Sequence, residues 1–215
     1  MEGMPIGRRA ACAFWTFASC LPMLHGQVIE FESGGLKYLT QTKSGVTVMF
    51  APLPLQIREY AVIQVAISNG SPLSWTFRPE DFRLVKEGDV APLQGLPAGR
   101  VVGEFLHRGG REDVIKLVTA YENGLYGMVR VKSTNGYEAR LESAMAALTN
   151  ARFKAAAAAS AIVLAPIKLK PGESTDGAVF FATSGKPLDG KLMVQAAGIL
   201  FEFPAPAARV QPKKQ

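Results

Sequence analysis

Cysteine and histidine are scarce in this sequence, and their positions matter more than their number. The 215 residues hold two cysteines, Cys12 and Cys20, and two histidines, His25 and His107. Beyond Gly26 there is no thiol and a single imidazole. That excludes a cysteine nucleophile, a disulfide framework and a Cys/His zinc site from the rest of the chain. A Ser-His-Asp triad would have to use His107, and no G-x-S-x-G elbow accompanies it. Ser184-Gly185-Lys186 lacks the preceding glycine pattern of a phosphate loop, and there is no dinucleotide fingerprint. Ser-x-x-Lys pairs and D-x-D-x-D-G calcium loops are also missing. Basic residues are spread along the chain without a dense run before the tail, and no nucleic-acid module accompanies them. The expectation is a protein that is not an enzyme, holds no cofactor and binds no nucleic acid.

Uninterrupted apolar runs of about twenty residues are absent too. Ala10 to Leu24 carries no charge and follows Arg8-Arg9. A basic start, an apolar stretch of about fifteen residues and small Gly26 at the exit match a secretory signal, cut after Gly26. A membrane anchor needs about twenty apolar residues, and Pro22 interrupts this run. Phe17-Ala18-Ser19-Cys20 is a competing lipobox-like sequence, in which Cys20 would be lipidated. Arg8-Arg9 sits poorly in a twin-arginine signal, given Gly7 and Ala10-Ala11 around it. Without Met1 to Gly26, which holds Arg8, Arg9 and Glu2, the formal charge falls from +6 to +5. The remaining length, about 190 residues, suffices for a core without covalent staples. Pro204 to Gln215, with Lys213 and Lys214, reads as a disordered basic tail, whose alternative role is a weak attraction to anionic envelope polymers.

Between those ends, alternation with period two is the main signal. Val46, Val48 and Phe50 share a face, as do Ala61, Ile63, Val65 and Ile67, with Gln64 and Ser68 opposite in what reads as a half-buried strand. Asn69 to Pro72 and Pro79 to Asp81 are turns around Leu73, Trp75 and Phe77. Ile162 to Leu169, Ala178 to Phe181, Leu192 to Ala196 and Ile199 to Phe203 read as further strands. Several short strands with regular turns indicate a β-sandwich. The middle follows a helical period instead: Val114, Leu117, Val118, Tyr121 and Leu125, then Tyr137, Leu141, Ala144, Met145 and Leu148. Gly124 or Gly127 can end the first helix, and Asn150 can cap a third, alanine-rich one. The predicted organisation is a signal over 1–26, a sandwich over 27–203 with a helical insertion at about 109–160, and the tail over 204–215.

The flanking motifs carry a resemblance. Ile63 to Ser71, then Phe77-Arg78-Pro79-Glu80-Asp81-Phe82, then Leu169-Lys170-Pro171-Gly172-Glu173 with Gly177 to Phe181 resemble the V-x-V-x-N-x-S, F-x-P-x-D-F and L-x-P-G…G-x-V-x-F patterns of bacterial extracellular immunoglobulin-like domains. The resemblance implies a mainly β fold, an immunoglobulin-like antiparallel β-sandwich, at the cell surface or in the periplasm, and brings no catalytic residues. It does not extend to the helical middle.

The residues that invite chemistry each have a plainer reading. Trp75 alternates with core positions. Tyr121, Tyr126 and Tyr137 lie on helical stripes and would need exposure to stack on a sugar. Glu80-Asp81 fixes a turn, and Glu112-Asp113 complements a helix dipole. Asp176, Asp189 and Glu173 would have to converge to hold calcium. Met49, Met128, Met145 and Met193 are scattered, which favours packing over copper binding. Ser133 to Gly136 is a linker or a polar recognition loop. The expectation is an exported, periplasmic or extracellular binding module that recognises an unidentified protein or envelope polymer through the helical insertion. The alternatives are an assembly protein that docks a partner by strand addition, or a surface lipoprotein anchored through Cys20.

Overall fold

A computed structural model describes residues 26–205, apart from 55, 87, 89–90, 128–135, 137–138, 140, 143–145 and 147–148. The protein is mainly β, with antiparallel sheets. Strands β1 (Val28–Ser33), β2 (Leu36–Lys43), β3 (Val46–Pro52), β4 (Tyr60–Asn69) and β9 (Ser174–Ala182) form a five-stranded sheet in the order β1-β2-β3-β4-β9. A second sheet has the order β11-β10-β6-β7, from β6 (Phe82–Val85), β7 (Leu93–Gln94), β10 (Lys191–Ala196) and β11 (Ile199–Phe203). Short β5 (Trp75–Phe77) and β8 (Ile167–Leu169) pair with each other.

Strands β4 and β9 of the large sheet are buried on both faces, because successive side chains point to opposite faces and each face has its own apolar set. Val46, Val48 and Phe50 of β3, with Ile63, Val65 and Ile67 of β4, pack against Phe82, Leu84, Leu192, Val194, Phe201 and Phe203 of the second sheet. The opposite face, with Tyr38, Ala51, Val62, Ala66 and Phe180, packs against helices α1 (Ala98–Arg108), α2 (Arg111–Gly127) and α3 (Ala151–Ile162). Strand β4 is therefore covered on both sides rather than half-buried, and Gln64 lies in the interior at 0% exposure.

The helices form where the sequence period changes. Leu117 and Tyr121 of α2 are fully buried, four residues apart on one stripe. Asn150 caps α3, its side-chain oxygen accepting the Arg152 N–H at 2.8 Å. Ala155, Ala158 and Ala159 lie on the buried side of α3, and their small side chains let the helix axis come close to its neighbours. Helix α2 ends at Gly127. The helical part begins at Ala98, one helix ahead of the Gly109 boundary expected from sequence. Glycines at 99 and 103 lower the helix propensity of that stretch, yet Val101 and Phe105, one turn apart, are buried.

The family-like motifs hold the turns at one end of the sandwich. Asn69 Nδ2 donates to the carbonyls of Leu73 at 2.7 Å and Leu169 at 3.1 Å, and Ser71 Oγ donates to Asn69 Oδ1. Trp75 Nε1 donates to Ser71 Oγ at 2.8 Å. The Pro171-Gly172 turn closes on the same point, with Gly172 N–H donating to the Asn69 carbonyl at 2.6 Å. Its φ of +81° suits glycine.

Candidate binding surfaces

Most of the polar residues singled out in the sequence have a partner inside the fold. Trp75 is a core residue stacked near Phe77. Tyr121 is buried, and its hydroxyl donates to Asp176 Oδ2. Asp81 Oδ2 accepts the Arg78 N–H at 2.8 Å, which fixes the turn before β6. Burial raises the Asp81 carboxyl above its ordinary range, and that hydrogen bond partly opposes the rise. Asp113 does more than complement a dipole. Its Oδ2 accepts from Gly110 N–H at 2.8 Å and from Arg58 Nη2 at 2.7 Å, while Arg58 also donates to the Arg108 carbonyl. Arg58, from the turn before β4, thus clasps the elbow between α1 and α2.

Asp176, Asp189 and Glu173 do not converge. Asp176 is buried beneath α2, and Asp189 pairs with Lys86 at 2.9 Å on the surface. Glu173 accepts the Lys170 N–H in its own turn. His107 is exposed in the last turn of α1. Met49 and Met193 sit apart, one beside the helix-covered core and the other on the outer face of the second sheet. Cys20, the export segment up to His25, Ser133 to Asn135, Tyr137, Met128, Met145 and the tail beyond Ala205 lie outside the described residues.

Two surfaces stand out among the described residues. One is a shallow groove of ≈ 250 Å³ on the outer face of the second sheet, lined by Asp81, Arg83, Val85, Pro92, Met193, Gln195 and Leu200. The half-buried Arg83 faces it and makes no hydrogen bond or salt bridge among the described residues.

The other is a sheet edge. Exposed edge strands invite pairing with other chains, so native sheets usually cover them. Here β9 is covered on its outer side, where Leu96 N–H donates to the Phe180 carbonyl and Leu164 N–H to the Ala178 carbonyl. Strand β11 is covered by side chains of β2: Gln41 Oε1 accepts the Glu202 N–H at 3.1 Å, and Lys43 Nζ donates to the Leu200 carbonyl at 2.6 Å. Strand β7 is two residues long. Strand β1 has six residues, and its outer side meets no backbone or side-chain cover among the described residues. Ile29, in its first half, is 58% exposed.

Sequence reasoning missed the β1–β2 hairpin. Its signal was Gly34-Gly35 between two strand-forming runs. Both glycines have positive φ, +57° and +74°, as a two-residue hairpin turn requires. Ile29-Glu30-Phe31-Glu32 is a second signal, since apolar and acidic residues alternate there, whereas LKYLTQTK has no strict alternation of apolar with polar residues.

No family model, curated protein or solved structure matches this chain.

Proposed function

We propose that this chain is an exported, non-enzymatic interaction module of the cell envelope that docks a partner by strand addition along β1. The observation that carries this reading is the contrast between the edges of the two larger sheets: β9 and β11 are covered, β7 is minimal, and β1 is bare among the described residues. Main-chain groups on a bare edge supply affinity, and alternate side chains supply specificity. The export reading rests on the basic start, the apolar run and Gly26. Cleavage there would begin the mature chain at Gln27, one residue ahead of β1. The immunoglobulin-like reading is supported by two antiparallel sheets packed face to face and by the turn-holding role of the N-x-S and P-G motifs.

Photo-crosslinkers placed separately at Ile29, Gln195 and Phe153, in protein expressed in its own envelope, test the docking site. Adducts at Ile29 that vanish when Glu30→Pro is added support the edge. Adducts confined to Gln195 would move the interface to the Arg83 groove, and adducts confined to Phe153 would move it to α3. Intact-mass analysis of the same material reads the processing site, with a chain starting at lipidated Cys20 replacing the Gly26 cut.

The groove favours a second reading. The half-buried Arg83 guanidinium makes no hydrogen bond among the described residues, and its planar fork suits a carboxylate carried on an apolar group, with Asp81 in the same groove as the competing anion.

A further inference from the structure

We infer that the strand received by β1 is an extended partner segment in which basic residues alternate with β-branched or aromatic ones, the basic side chains standing opposite Glu30 and Glu32. This rests on the strand-addition reading above.

The backbone sets which residues meet the partner. The hairpin closes with Ser33 opposite Leu36 around a two-residue turn. The closing pair of such a hairpin exchanges hydrogen bonds, and bonded pairs then alternate along the ladder. Ser33, Phe31 and Ile29 therefore spend their N–H and C=O groups on β2. Val28, Glu30 and Glu32 point theirs outward.

The side chains set the chemistry. Ile29 and Phe31 share the face of Leu36 and Tyr38, and the Phe31 ring already stacks on Tyr38 with centroids 5.2 Å apart. Ile29 needs an apolar neighbour. On the other face, Lys37 Nζ binds Glu30 Oε1 at 2.9 Å, and Lys37 stands directly opposite Glu32 in the register. One ammonium thus serves two carboxylates, and Glu32 makes no hydrogen bond or salt bridge among the described residues. A basic residue added opposite supplies the missing charge. Each opposite-charge cross-strand pair contributes about 0.2–1 kcal/mol, and like charges facing each other are destabilising.

The same charges argue against a second copy as the occupant. A two-fold antiparallel pairing centred on Glu30, Phe31 or Glu32 sets a carboxylate of one copy opposite one of the other, and a pairing centred on Ile29 sets Glu30 opposite Val28 and gives neither glutamate a cation. The mature chain's net charge of +5 opposes a basic partner at long range. Screening over about 8 Å in physiological salt leaves the contacts at the edge to decide.

Three peptides test this against isotope-labelled full-length exported protein: acetyl-VKIKVT-amide, its serine counterpart VSISVT and its glutamate counterpart VEIEVT. Amide exchange is read at Val28, Glu30 and Glu32. The lysine peptide should slow exchange at Glu30 and Glu32 about tenfold, the serine peptide less, and the glutamate peptide not at all. Glu30→Pro removes an outward N–H and leaves the β1–β2 bonds through Ile29 and Phe31 in place, so protection should vanish while Trp75 fluorescence is unchanged. Glu32→Lys should shift the preference toward VEIEVT, and it does not depend on the proline variant folding. Equal protection by the lysine and serine peptides would overturn the basic partner and leave strand addition standing. No protection by any peptide would overturn both. Protection of Glu30 and Glu32 in the peptide-free protein, with a dimer in sedimentation, would make a second copy the occupant.

Discussion

Two buried polar side chains on the helix-covered face of the sheet have opposite bearings on stability. Tyr38 is fully buried, and burial pushes its phenol up to about 12 from 10.0. A raised folded-state value means that the native protein holds the proton longer than the unfolded chain does. The contribution of Tyr38 is complete below about pH 10 and is lost as pH rises through about 12, at about 1.4 kcal/mol per pH unit of difference. Tyr38→Phe should flatten the alkaline limb of a stability–pH curve, and an unchanged limb would assign that loss to other groups. Gln64 is the other case. Its amide nitrogen and oxygen are buried with no hydrogen-bond partner among the described residues. Alanines flank it in the sheet, Ala51 on one side and Ala178 on the other. A buried unpaired amide costs about 1–3 kcal/mol. Gln64→Met keeps the volume and removes the polar atoms, so its denaturation midpoint should rise by a comparable free energy. A lower midpoint would show that the amide is satisfied by bound water.

Among elements, the α1–α2 elbow has the most specific support. Asp113 caps the start of α2 through Gly110 and holds Arg58, whose side chain also takes up the terminal carbonyl of α1. The pair is partly buried, with side chains 23% and 9% exposed. Asp113→Asn keeps the shape and removes the charge that both contacts use. Urea denaturation should show a loss of about 1–3 kcal/mol, and a neutral result would mean that solvent replaces Arg58. None of this clasp was legible in the sequence. Asp113 could be read as a helix-start acid, but Arg58 lies far away in the chain, and only the sheet-to-helix packing brings the two together. Strands β3, β4, β10 and β11 were legible from period-two alternation, and β9 from its continuous apolar run Ala178 to Phe181. The turns at Asn69 and Pro171 were legible because their residue types have few other uses. The double burial of β4 was not: Gln64 reads as a solvent-facing residue unless helices are known to cover that face. Strand β1, which carries the proposed docking edge, has a period-two pattern of its own, Ile29 and Phe31 on one face and Glu30 and Glu32 on the other, but it is only six residues long and holds few apolar side chains.

At the scale of the whole molecule, one sheet serves two cores. Ile63, Val65 and Ile67 of β4 belong to the sandwich core, while Tyr60, Val62 and Ala66 of the same strand belong to the helix-covered core. Strand β9 divides likewise, with Val179 and Phe181 on one side and Ala178 and Phe180 on the other. Loss of the helices would expose one face of the central strands to water and leave the other packed. The free energy of each core therefore depends on the sheet being intact, and the two should unfold together. The molecule offers a separate probe for each side. Trp75 is the only tryptophan after Trp15 and lies in the sandwich core, whereas the far-ultraviolet helical signal reports α1 to α3. The two denaturation curves should coincide. Leu117 is fully buried on the helix side, so Leu117→Ala should cost about 2–5 kcal/mol and move both curves by the same amount, although it touches only one core. A shift of the helical signal alone would show that the helices melt from a sheet that stands without them. The sandwich would then be the folding unit and the helices a detachable cover over Gln64 and Asp176.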